Sequence, residues 1–176
     1  MSPGYADMDT RMLHGMFNML VDFVEIEKAW RYVVFDKEEY KKCKHPWWSK
    51  SWTRFKAFRD IDAGIAYLKW EMTLDSPTLS TFDRNPAQAS VAQEIWELYH
   101  WWKYVRPLRE DPHDASGWSE YVGKMADNIW SNKQSADEKA KIGEMLDLAN
   151  DITSSYDDQD QDMLIRLIKI RKHLWT

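Results

Sequence analysis

The chain has 176 residues, of which 44% are hydrophobic and 30% charged, with a formal net charge of −5 at pH 7. A chain of this length buries roughly 70% of the surface its unfolded form exposes, so its core needs neither disulfides nor a structural metal. The single cysteine, Cys43, excludes an internal disulfide and any zinc site with more than one thiolate.

No apolar run approaches the roughly 18 to 20 residues of a membrane span, and MSPGYADMDTRML lacks the basic and apolar regions of a signal peptide. A cytosolic protein with no membrane partner is expected. Eleven Trp, eight Tyr and six Phe stand against only six Gly and six Pro. Scarce breakers favour long helices, and eleven tryptophans exceed what a core of this size readily absorbs, so some of them should line an interface or a pocket.

The first helix is expected after Asp9 and to about Val34, with Leu13, Met16, Phe17, Leu20, Phe23 and Val24 at steps of three and four. Extending that stripe by one turn reaches the opposite-charge pair Glu27 and Arg31. Periodicity fades from Asp36 to Lys50, and His45-Pro46 marks a boundary. A second helix fits Thr53 to Thr73, its inward line being Ile61, Gly64, Ile65, Leu68 and Met72, with Glu71 at the edge. The Ser, Thr, Asp and Pro of DSPTLSTFDRNP mark a loop that ends with Asn85 as cap and Pro86 at the first helical position.

The helix that follows, to Val105, places Val91, Ile95, Leu98, Trp102 and Val105 on one face, and Trp96, Tyr99, Trp101 and Tyr104 around the rest. Pro107 and Pro112 end it, and a shorter helix is expected from Ser116 to Trp130. Ser135 and Glu138 form a capping box that opens a helix to about Ile152. A last helix would begin in the acidic run Asp157, Asp158, Asp160 and Asp162, with Arg166, Lys169, Arg171, Lys172 and His173 at its end to match the macrodipole. The expected fold is all-α: one domain over residues 1–176, a bundle of about six helices in which 7–134 form an aromatic-rich core and 135–176 a C-terminal αα-hairpin.

Three constellations could carry chemistry. Between residues 41 and 59 lie seven basic residues and no acid, interleaved with aromatics. Trp47, Trp48 and Trp52 could stack on a nucleobase while Lys50 and Arg54 hold its phosphates. Near the aromatic helix, Trp101 offers another ring, and Arg106 and Arg109 offer planar forks suited to phosphate. The third constellation is acidic. Glu94, Glu97 and His100 recur at three-residue spacing, and with Glu71 they could hold magnesium for a nucleotide hydrolase. Glu97 and His100 also make the E-x-x-H element of di-iron bundles, but a complete di-iron site would need a second such element on a facing helix. The chain has no nucleophile elbow and no phosphate-cradling glycine loop.

The stretches DTRMLHGMFNMLVDFVEIEKAW, AGIAYLKWEMTL and EIWELYHWWKYVRPLREDPHDASGW together resemble a group of small tailed-bacteriophage proteins of unassigned function. The resemblance spans about residues 7 to 120 and brings no catalytic or binding residue with it. It implies an accessory protein in the cytoplasm of an infected bacterial host. The leading expectation is a non-catalytic binder that sequesters a nucleotide-type small molecule, such as a host defence signal, without a cofactor. The alternatives are a homo-oligomeric interaction component and the magnesium hydrolase, and single-stranded nucleic acid is a lesser candidate ligand.

Overall fold

The computed structural model describes residues 7–35, 59–125 and 135–174, and every regular element among them is helical. The fold is all-α. Helix α1 (Met8–Asp22) continues through a π-helical segment (Phe23–Lys28) into α2 (Ala29–Phe35). Next come α3 (Ile61–Met72) and α4 (Pro86–His100), which passes into a second π segment (Trp101–Val105) and a 3-10 turn (Arg106–Leu108). Then follow α5 (Pro112–Ala115), α6 (Trp118–Met125), α7 (Ala136–Ile170) and a closing 3-10 turn (Arg171–His173). No described helix is long and apolar enough to cross a membrane.

The chain forms two compact units, the first Met1–Tyr104 with Leu164–Thr176 and the second Val105–Met163.

In the first unit the stripe of α1 is buried as its spacing requires, with Leu13, Phe17 and Leu20 at most 6% exposed. Phe17 stacks on Trp102 at 4.7 Å and lies 5.2 Å from Trp101, which packs the N-terminal helix against the second π segment. Beyond Val24 the stripe departs from α-helical phase. A π turn adds a residue to the ladder, so the buried line continues through Glu25, Lys28, Ala29 and Val33. Glu27 and Arg31, expected on that line, are half-buried instead.

Helix α3 starts at Ile61 rather than at the expected Thr53, because Asp60 caps it by accepting from the Ala63 amide at 3.0 Å. Its buried face is Ala63, Gly64, Tyr67, Leu68 and Glu71, rotated from the expected line, and Ile61 is exposed. The cause is Gly64: a Cβ there would stand 2.2 Å from the Val24 carbonyl oxygen, so α3 lies directly on the backbone of the first π segment.

Helix α4 opens as expected, Asn85 accepting from the Gln88 amide at 3.1 Å with Pro86 next to it. Its core side is Ala89, Ala92, Ile95, Leu98 and Tyr99, whereas Val105 is 44% exposed because the second π segment shifts the phase again. The end of α7 also belongs to this unit, where Leu167 is fully buried and Arg166 reaches Glu94 at 2.7 and 2.9 Å and Glu97 at 2.5 Å.

The expected hairpin is a single 35-residue helix, α7, whose residues up to Met163 belong to the second unit. Residues 150–162 contain neither Gly nor Pro, and Asp160, expected near a helix start, instead lies mid-helix and pairs with arginines. The capping box at the start of α7 is present, with Ser135 N–H donating to Glu138 at 2.8 Å and Glu138 N–H to the Ser135 hydroxyl at 3.2 Å.

Candidate functional site

Two carboxylates are buried inside the first unit, and each is saturated by donors from several elements. Glu25, on the first π segment, is 1% exposed. It accepts from the Tyr99 hydroxyl at 2.9 Å, from Lys103 of the second π segment at 3.0 Å, and from Arg59, which also reaches Asp22. Its backbone carbonyl accepts the Asp60 amide at 2.8 Å, fastening the entry of α3. Burial would raise the Glu25 carboxyl, but the donations of Lys103, Tyr99 and Arg59 together hold it below the usual carboxylate range. Burial, then the neighbouring Glu25, pushes the Tyr99 phenol up, so it stays a donor.

The second carboxylate, Glu71 of α3, is 2% exposed. Lys28 donates to its two oxygens at 2.8 and 2.7 Å, and Gln88 of α4 donates at 2.9 Å. The Lys28 ammonium sits 5.2 Å from the ring centres of both Phe23 and Tyr67. Burial draws its pKa below the ordinary lysine range, with Glu71 opposing the shift.

This second pair forms part of the wall of a cleft of about 360 Å³ in the first unit. The cleft has an apolar side, Val91, Ala92 and Ile95 of α4, and a polar side on which cations predominate. Lys28 and Arg31 come from the N-terminal helix, and His173 from the turn that follows α7. Asn85, Ala87 and Gln88 bring the N-terminus of α4 to the same space. The cap takes the Gln88 amide and Pro86 has none, so the Ala87 amide is a helix-start donor without an intrahelical acceptor, at the positive end of the macrodipole. Burial raises the Tyr67 phenol, and the nearby Arg31 charge opposes that rise. Arg31, His173, the Glu71-paired Lys28 and a helix start face one cleft and give it donors suited to an anion.

The residues expected to bind from sequence are distributed differently. Trp47, Trp48, Lys50, Trp52 and Arg54, like Cys43, lie outside the described residues. Trp101 is 4% exposed and packs on Phe17, as a core residue does. Arg106 and Arg109 belong to the second unit, where both engage Asp160, at 2.8 and 2.7 Å, and Arg109 also lies 4.7 Å from the Tyr156 ring centre.

The acidic constellation does not converge. Glu71 is taken by Lys28 and Gln88, Glu94 and Glu97 by Arg166, and the exposed His100 lies tilted against the rings of Trp96 and Tyr104. Among the described residues no three His, Cys, Asp or Glu side chains are grouped to hold a metal ion, so this donor set does not fit magnesium.

The chain matches no family model, curated protein or solved structure. Lys28, Arg31, Gln88 and His173 were missed as site residues in the sequence. A lysine four residues after Val24 on an apolar line was the one available signal for the first of these. His173 carried none, because it reaches the cleft from the far end of the chain.

Proposed function

We propose that this protein binds a nucleotide-type small molecule without turning it over, holding its phosphate in the cleft of the first unit. The observation that carries the reading is the convergence of Lys28, Arg31, His173 and the start of α4 on one space of about 360 Å³. That volume falls within the range of roughly 300 to 1,000 Å³ typical of small-molecule sites. The apolar side formed by Val91, Ala92 and Ile95 gives a base or sugar a surface to cover. Trp47, Trp48 and Trp52, with Lys50 and Arg54, remain candidates for base stacking on the strength of the sequence alone. In the infected bacterium implied by the phage resemblance, such a binder would lower the free concentration of a host signal.

Calorimetric titration with adenosine 5′-monophosphate, adenosine triphosphate and inorganic phosphate tests the reading. Binding of a phosphate-bearing ligand is expected, and Arg31→Ala should weaken it about tenfold or more, the worth of one charge-assisted hydrogen bond. Absence of binding for all three, or equal affinity in Arg31→Ala, would contradict it.

A second reading, association between copies of the chain, draws on α1, where Met8, Met12 and Met19 are 78%, 55% and 61% exposed. They fall at steps of four and seven along one helix face. Sedimentation of a monomer at all accessible concentrations would remove it.

A further inference from the structure

The cleft takes its residues from three separate parts of the chain, and one of them is held there by contacts elsewhere. His173 stands on the turn Arg171–His173, whereas Lys28 and Arg31 are near the N-terminus and Gln88 is on α4. The stretch that carries His173 is docked on the first unit by fully buried Leu167, by Ile170, and by the clamp of Glu94 and Glu97 on Arg166. Helix α4 thus supplies both the cleft wall around Gln88 and, about two turns later, the carboxylates that hold the C-terminal stretch.

We infer that occupancy of the cleft by a phosphate group and docking of residues 164–174 are thermodynamically linked, His173 being the ligand contact that the docked stretch delivers. The inference rests on the anion-binding reading of the cleft. A phosphate held between Arg31 and His173 binds the docked form better than a form in which His173 is withdrawn, so it shifts the population toward docking. By reciprocity, anything that loosens docking weakens the ligand by the same factor, and couplings of this kind are typically about 5- to 150-fold. The site is thereby under the control of a segment that is remote in sequence from its other residues.

The test uses the full chain and adenosine 5′-monophosphate. Hydrogen exchange is followed by mass spectrometry across residues 164–174 with and without the nucleotide, and affinity is measured for the wild type, Arg166→Gln and His173→Ala. The nucleotide should slow exchange in that stretch at least fivefold. Arg166→Gln, which leaves every cleft residue in place, should bind at least fivefold more weakly at unchanged helicity. His173→Ala, an exposed substitution that spares the core, should lose the nucleotide-dependent slowing while keeping the exchange of the free protein. Nucleotide binding with unchanged exchange and wild-type affinity in Arg166→Gln would overturn the linkage and leave the anion-binding reading standing. Failure of the wild type to bind the nucleotide would overturn both.

Discussion

Gly64 shows how much one missing methyl group can decide. In an exposed helix, replacing glycine by alanine gains up to about 1 kcal/mol. Here the added carbon would meet the Val24 carbonyl oxygen at 2.2 Å and its carbon at 3.0 Å, both backbone atoms that cannot rotate away. Gly64→Ala should therefore destabilise the protein, by about 1 to 3 kcal/mol, the cost of overpacking. A urea midpoint at or above that of the wild type would refute the contact.

The buried pair Lys28 and Glu71 makes a different residue-scale claim. Lys28→Met alone strands a carboxylate that is 2% exposed and should cost about 3 to 5 kcal/mol, while Lys28→Met with Glu71→Leu should come close to the wild type or above it. Both proteins should lose nucleotide binding, which separates the pair's part in the cleft from its part in stability. Glu25 contributes to the acid limb. Its carboxyl is held below the usual range in the folded protein, so its contribution is complete above the unfolded-state value of about 4.3 and disappears as pH falls through the lower folded value. Urea midpoints measured from pH 6 to 3 should fall less steeply in Glu25→Gln than in the wild type.

At the scale of elements, helix existence and several caps were legible while phase was not. Asn85-Pro86 and Ser135 with Glu138 are local chemistry, and both act in the structure as their spacing requires. Each π segment, in contrast, adds a residue to a helical ladder, so the apolar stripes of α1 and α4 change phase in mid-run. A constant step of 3.6 residues could not foresee that Glu25 and Lys28, rather than Glu27 and Arg31, would be the buried charges. The hairpin was misread for a related reason. An acidic run favours a helix start, but Asp160 meets Arg106 and Arg109 laterally, and no breaker interrupts α7. Ser155→Pro separates the two cases, since a loop would tolerate it and a continuous helix should lose about 3 kcal/mol or more together with measurable helicity by circular dichroism.

Across the whole molecule, the chain builds its first unit from both of its ends and its second from the intervening residues 105–163. The all-α class was readable from scarce glycine and proline and from helical periodicity. The cleft was not, because its polar residues lie about 140 residues apart at the extremes and meet only through tertiary packing. Composition pointed to an anion site in the basic segment 41–59, most of which lies outside the described residues, whereas the cleft at Lys28, Arg31 and His173 lies elsewhere in the chain. Phosphorus NMR of adenosine triphosphate incubated with the full chain and magnesium tests binding without turnover most directly. The account predicts resonances broadened by the protein, sharpened again in Arg31→Ala, and no inorganic phosphate after prolonged incubation. Sharp lines with the wild type, or a growing inorganic phosphate signal, would contradict it.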